Sequence, residues 1–159
     1  MRVLGVDPSL HITGYGVVER NGSGLRLIEG GTITPGKSAG LSERLADLQR
    51  GIADVISSLH PDVMIVEEVF ARTAYPRTAI LMAHARGALV CAAAVAGLPV
   101  YDYAATAVKR ALVGRGAATK EQVASMVVDA LRLRKRPSPP DVTDALALAI
   151  AYLRRSNGR

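Results

Sequence analysis

Arg2-Val-Leu-Gly-Val6-Asp7-Pro8 is the stretch on which the fold turns. A short apolar, β-branched run ends at Asp-Pro, a turn signal, so it reads as a strand that leaves an acid at its end. Working outward, Gly14-Tyr-Gly-Val-Val-Glu-Arg20 is a second strand, and Asn21-Gly22 is a hairpin turn dipeptide. Leu25 to Ile33 alternates apolar and polar and makes a third strand, completing an antiparallel meander. The period then changes. Leu41, Leu45, Leu48, Ile52, Val55, Ile56 and Leu59 recur at helical spacing, which predicts an amphipathic helix over 41–59, stopped by Pro61. Val63-Met-Ile-Val66 is an uninterrupted apolar run, the pattern of a strand buried on both faces, and it ends in Glu67-Glu68. A helix followed by a buried strand predicts parallel pairing with the first strand.

Residues 70–76 read as a loop carrying Phe70, Arg72 and Tyr75. Residues 77–96 form a long Ala-rich helix, apolar nearly all round, which is core or core plus subunit interface. Leu98 to Tyr103 is a fifth strand. A basic helix from Thr106 to Val113 follows, then a loop with Gly114 and Gly116. The next helix runs from Thr119, a suitable N-cap, to about Leu133. Arg132-Leu-Arg-Lys-Arg-Pro-Ser-Pro-Pro140 is a charged, proline-rich connector, and Asp141 to Arg155 is the last helix. The chain carries no internal repeat. This order predicts one α/β domain over residues 1–159, with a mixed five-stranded sheet and helices on both faces. That is a ribonuclease-H-like architecture, in which strand ends gather acids.

Composition narrows the function. The chain has 159 residues, and a domain takes roughly 100–200. Hydrophobic residues make up 49% and charged residues 21%, which excludes a disordered chain. Cys91 is the one cysteine, so there is no internal disulfide and no zinc cluster, and a cytoplasmic compartment is expected. Asp7 interrupts any signal-peptide core. The longest apolar run, Gly87 to Val100, falls short of the ~20 residues that span a bilayer, so no membrane partner is expected. Residues 1–70 carry 6 basic and 9 acidic side chains, whereas residues 71–159 carry 14 basic and 5 acidic ones. A positive half beside an acidic half is what a polyanion-binding enzyme with a carboxylate site shows.

Four acids share a setting. Asp7 ends the first strand, Glu67 ends the buried fourth strand, and Asp141 and Asp144 lie in the first turn of the last helix. If strands one and four are neighbours, Asp7 and Glu67 emerge together, and residues three apart on a helix share a face. Converging carboxylates repel unless a cation sits among them, and hard divalent ions take oxygen ligands of this kind. Each acid also has an ordinary reading. Asp7-Pro8 makes a turn, Glu67 suits a solvated loop, and Asp141 with Asp144 suits a helix cap. Spacing alone does not choose between Glu67 and Glu68.

Phe70 is the single phenylalanine, on the loop after the acidic pair. Such a residue either caps the core or stacks on an unpaired base, with Tyr75 assisting, a contact worth roughly 1–3 kcal/mol. Arg72, Arg77, Lys109, Arg110, Arg115 and Lys120 are candidate phosphate contacts, or solvated surface charges. His11, His60 and His84 lack metal-ligand spacing; His84 and Cys91, on the apolar helix, read as packing residues.

Gly5-Val-Asp7-Pro-Ser-Leu-His-Ile-Thr13-Gly14-Tyr-Gly16-Val-Val resembles the opening of the RuvC family of Holliday-junction resolvases. So does Ile65-Val-Glu67-Glu-Val-Phe70, followed by Ala85-Arg86-Gly87. Val108-Lys109 with Val113-Gly114, Lys120-Glu-Gln-Val123, and Asp141-Val-Thr-Asp144-Ala-Leu-Ala147 continue the match in order, over essentially the whole chain. The resemblance implies that Asp7, Glu67, Asp141 and Asp144 are catalytic, metal-binding acids. It makes Phe70 a base-stacking wedge, and Lys109 and Lys120 DNA contacts near the scissile phosphate. It further implies a homodimer that makes two symmetric nicks with 5′-phosphate ends and works with the RuvAB branch-migration motor. Ser9 stands where many members have glycine, Glu68 where some have glutamine, and Asp141 where some have histidine.

The expected chemistry is phosphodiester hydrolysis with Mg²⁺, or Mn²⁺, two ions per site: one activates water and the other stabilises the departing 3′-oxygen. Three other readings compete. An actin-like ATPase or sugar kinase opens with a similar strand-Asp-turn-hairpin but needs two such domains. A related ribonuclease-H-like nuclease would act on another nucleic acid. A non-catalytic junction binder gains nothing from four carboxylates facing a phosphate backbone.

Overall fold

The computed structural model describes residues 1–22, 24–37, 39–69 and 76–156. Five strands form one sheet: β1 (Arg2–Asp7), β2 (Thr13–Asn21), β3 (Gly24–Ile33), β4 (Val63–Glu67) and β5 (Val100–Tyr103), in the order β3-β2-β1-β4-β5. β1 pairs antiparallel with β2 and β2 with β3, while β4 runs parallel to both β1 and β5. The buried apolar run 63–66 thus lies beside β1 in parallel, as its uninterrupted hydrophobicity predicts. The meander turns at Gly22, whose φ of +58° is open to glycine without steric cost.

Strand parity assigns the two faces. Leu4, Val6, Val17 and Met64 point to one side and pack on α1 (Leu41–Leu59) and α2 (Pro76–Val95). Val3, Val18, Val63 and Ile65 point to the other and pack on α3 (Ala105–Val113), α4 (Lys120–Ala130) and α5 (Pro140–Arg155). Helices therefore cover both faces, and α5 is the most deeply packed: Ala145 to Ala151 are all buried. This helix lies directly on the sheet because β1 offers no side chain beneath it at Gly5. A Cβ there would stand 1.9 Å from the Ala145 carbonyl oxygen.

The sequence expectations needed three corrections. α4 ends at Ala130, not Leu133. Arg132 takes φ +52°, its N–H donates to Asp129 O (3.2 Å), and the Leu133 N–H donates back to Val128 O (2.9 Å). That is a Schellman end with arginine where glycine is usual, and the apolar period of Leu131 and Leu133 disguises it. His84 and Cys91 are exposed, not packed. An all-apolar helix has no polar stripe to mark its outer face, so periodicity could not place them. Finally, counting only Gly87–Val100 understated α2: Arg77–Val95 is long and apolar enough to cross a membrane by length and composition. Its inner face packs on α1 and the sheet, through Ala85, Leu89, Ala92 and Ala93, and its Arg86 pairs with Asp102 of β5.

Candidate active site

The same parity that divides the core places the acids. Val3, Gly5 and Asp7 alternate onto the α5 face of β1, and Val63, Ile65 and Glu67 onto the α5 face of β4. Val6 pairs with Val66, so Asp7 and Glu67 follow side by side at the carboxyl ends of two parallel strands. Glu68 lies beyond the strand, exposed, its N–H donating to Tyr103 O at 3.0 Å. Parity therefore separates the two glutamates, and the alternation of Val63, Ile65 and Glu67 was the signal that could have done so from sequence.

The third element is the start of α5. Its N-cap is Pro139, with Pro140 in the first turn, so neither Asp141 nor Asp144 is spent on capping. Asp7 pairs across the sheet with Gly14, and a Cβ on Gly14 would come within 2.2 Å of the Asp141 carbonyl oxygen. Glycine at 14 is thus what lets the first turn of α5 settle beside Asp7. The glycines of β1 and β2 went unread as site-builders in the sequence, because a strand glycine signals a close approach without naming the partner.

Electrostatics shows how near the acids are. Burial, then Glu67, Asp144 and Asp141 in that order, push the Asp7 carboxyl up to about 7, against a smaller opposing pull from Lys120. Burial and then Asp144 also raise Glu67, while Lys120 and Lys109 oppose the rise. Lys120 Nζ donates to Asp144 Oδ2 at 2.8 Å, a contact that raises the lysine's own pKa. The four carboxylates feel one another, yet among the described residues no three His, Cys, Asp or Glu side chains close into a ready-made metal cage. Like charges hold the acids apart, and Asp144 is paired with the Lys120 ammonium. An all-oxygen donor set with uncompensated negative charge suits a hard divalent ion.

A cavity of about 90 Å³ opens beside the acids, lined by Glu67, Lys109, Lys120 and Asp144 among apolar residues of α3, α4 and α5. α4 aims Lys120 into it from a well-formed start. Thr119 caps by accepting from the Gln122 N–H (3.2 Å), and Gln122 Oε1 accepts from the Thr119 N–H (3.0 Å). The structure brings Asp7, Glu67, Asp144, Lys109 and Lys120 to one place, with Asp141 beside them. Arg77, Arg110 and Arg115 stand exposed on α2, α3 and the loop after α3, outside that lining. Phe70, Arg72 and Tyr75 lie outside the described residues.

The chain resembles known proteins along nearly its whole length. Residues 3–152 match the family model "Crossover junction endodeoxyribonuclease RuvC". The chain is 43% identical over 158 residues to the protein of that name from Nitrosomonas eutropha, covering 99% of this chain and 87% of the relative. It superposes on Thermus thermophilus RuvC with a TM-score of 0.86 at 34% identity, and on the T. thermophilus RuvC structure in complex with Holliday junction substrate with 0.90 at 32%. Both superpositions cover 99% of this chain and 96% of the other. Matched along nearly its whole length by sequence and by fold, the chain belongs to the RuvC family of crossover junction endodeoxyribonucleases.

Proposed function

We propose that this protein resolves four-way DNA junctions by paired, metal-dependent phosphodiester hydrolysis, with Asp7, Glu67, Asp141 and Asp144 as the catalytic acids. The observation that carries the reading is the meeting of Asp7 and Glu67 at the ends of parallel strands, under the first turn of α5, in a chain of the RuvC family. Nucleases of this family depend on divalent metal. Asp7, Glu67, Asp144 and Asp141 would hold Mg²⁺, with Mn²⁺ an alternative and two ions per site. A bound divalent ion supplies a Lewis acid for the phosphoryl oxygens and a nucleophilic water at neutral pH. The chain's own residues do the rest. The half-buried carboxylates keep a shaped, acidic site at the sheet end. Lys120 releases Asp144 and turns its ammonium toward the phosphate, offsetting charge that develops on the oxygens. Lys109, on the cavity wall, holds the scissile strand, and Arg77 and Arg115 meet phosphates farther away. Phe70, Arg72 and Tyr75 are assigned to the exchange point, where an aromatic stacks on an unpaired base.

Lys120→Met tests the lysine's part. The single-turnover cleavage rate falls by about 10²–10³-fold with junction affinity changed far less, as for loss of one transition-state donor. Equal losses in rate and affinity would make Lys120 a plain binding residue.

Paired nicking asks for two sites, and α2 offers the surface for a homodimer. Ile80 (58% exposed) and Val95 (80% exposed) lie on the outer face of α2, with the exposed Gly87 and Cys91 between them at helical spacing. A small residue mid-seam admits a second helix closely. Ile80→Glu with Val95→Glu yields a monomer by light scattering, with paired nicks reduced to single ones; an unchanged dimer would move the interface elsewhere. The cytoplasm and the RuvAB motor are the setting and partner proposed with this reading.

The direct test of function is substrate choice. A synthetic four-way junction, a linear duplex of the same sequence and an RNA–DNA hybrid are incubated with the protein in Mg²⁺ and in Mn²⁺. Cleavage of the junction alone is expected. Cleavage of the hybrid in preference to the junction would keep the fold and replace the substrate.

A further inference from the structure

The connector between α4 and α5 carries charge that the site does not use. Arg132, Arg134, Lys135 and Arg136 are all exposed, and among the described residues none makes an ion pair or a side-chain hydrogen bond. Four like charges within five residues repel one another, and the acids lining recesses beside them, Glu121 and Asp129, are outnumbered two to one. Arg132 adds a local cost. It occupies the left-handed position of the helix end, φ +52°, where glycine is the favoured residue. A cation kept at a glycine position, within a run of unpaired cations, points to a ligand.

The connector runs back toward the active site. Its Leu133 packs on the core beside Leu27, and the segment from Leu133 to Ser138 walls one side of a cavity of about 480 Å³ against Leu27 of β3. Arg136 then shares a recess with Glu121, Ser125 and Asp129, which lie four apart on one face of α4. The chain thus retraces α4 from Asp129 toward Glu121, the neighbour of Lys120. Those two acids leave the run a net positive charge of two. Arg136 precedes Asp141 by five residues and Arg132 by nine, so the fully extended chain bounds their distances from the site at about 18 Å and about 32 Å. A turn of B-form DNA is roughly 34–36 Å, with one phosphate charge per ~1.7 Å of axis. The backbone of the four cations therefore lies within about one duplex turn of Asp141.

We propose that residues 132–136 form a rail that binds the phosphate backbone of a junction arm, independently of sequence, within one helical turn of the scissile phosphate. This rests on the junction-resolvase reading and adds an arm-length requirement to it.

The full chain is compared with a variant carrying Arg132→Gln, Arg134→Gln, Lys135→Gln and Arg136→Gln. A second variant has lysine at the three arginines, and a third is Arg132→Gly alone. Binding to a four-way junction is measured against salt in Ca²⁺, with arms of about 20 base pairs and with hairpin-capped arms of about five. On long arms the glutamine variant lowers the slope of log affinity against log salt by about 2–4 and the affinity by roughly 10–10²-fold. Its cleavage rate at saturating enzyme stays within about two-fold of wild type, because the loss is one of binding. The lysine variant keeps the slope. On short arms the loss is smaller, because an arm of five base pairs reaches only about 17 Å. Arg132→Gly melts at a higher temperature than wild type yet binds long arms more weakly, a combination that a structural role for the side chain would not produce. An unchanged slope in the glutamine variant would overturn the inference and leave the cations to another acidic partner; equal losses on short and long arms would overturn it too. Wild-type protein that prefers the linear duplex to the junction would overturn the functional reading itself.

Discussion

Asp7→Asn will abolish junction cleavage and at the same time make the metal-free protein more stable. The activity loss is at least about 10³-fold, or about 4 kcal/mol of barrier, since the change removes the carboxylate proposed above to hold the metal at the centre of the acid cluster. The stability gain follows from linkage. Burial and three neighbouring acids raise Asp7 from 3.8 to about 7 in the folded chain. The folded state then holds a proton that the unfolded state has already lost, between pH ~4 and ~7. Stability contributed by the protonated acid is complete below pH ~4 and is lost as pH rises through 7. The cost at pH 8 is up to about 4 kcal/mol, at 1.36 kcal/mol per pKa unit. Asparagine carries no such charge, so Asp7→Asn melts up to roughly 8–16 °C above wild type at pH 8 without metal, and level with it near pH 4. Mg²⁺ raises the wild-type melting temperature and narrows the gap. A variant that melts no higher than wild type at pH 8 would mean that Asp7 is not held among acids.

Gly5→Ala should damage the protein more than any surface change. The new methyl would lie 1.9 Å from the carbonyl oxygen of Ala145 and 3.0 Å from the backbone nitrogen of Ala149, so α5 itself must move. Neither atom is the tip of a flexible side chain that can swing aside. Moving a helix whose residues Ala145 to Ala151 are all buried opens the core along its length. The expected loss exceeds about 4 kcal/mol, out of the 5–15 typical for a domain, and lowers the melting temperature by roughly 8–16 °C or more. Cleavage by the fraction still folded also drops, because α5 carries Asp141 and Asp144 away from Asp7. Gly24→Ala is the control: its nearest neighbour would be Asn21 O at 3.7 Å, and thermal melting should barely shift. Equal melting curves for the two variants would show that the helix does not bear on Gly5.

How far the sequence could be read depends on where it carries period. β1, β2, β3 and α1 alternate or repeat cleanly, and each stands where its pattern put it, as does β4, whose unbroken apolar run marks a strand covered on both faces. Asp7 and Glu67 were legible for the same reason: each ends such a run. α5 was legible as a helix, but its contact with the sheet was not, since the glycines that permit it show only what is missing at their positions. α2 lacks a polar stripe, so the exposure of His84 and Cys91 left no trace in the pattern. α4 ends early because Arg132 turns the chain in a conformation that composition assigns to glycine. The ion pair between Lys120 and Asp144 joins residues 24 apart and is a product of tertiary packing alone.

The most direct test of the central claim is to map the nicks on a four-way junction labelled in turn on each strand, with Mg²⁺, with EDTA, and with Asp7→Asn. The account predicts two nicks at symmetric positions on opposing strands, each leaving a 5′-phosphate, absent in EDTA and absent in the variant. Nicks that persist in EDTA or in Asp7→Asn, or that fall equally on the linear duplex, would contradict it.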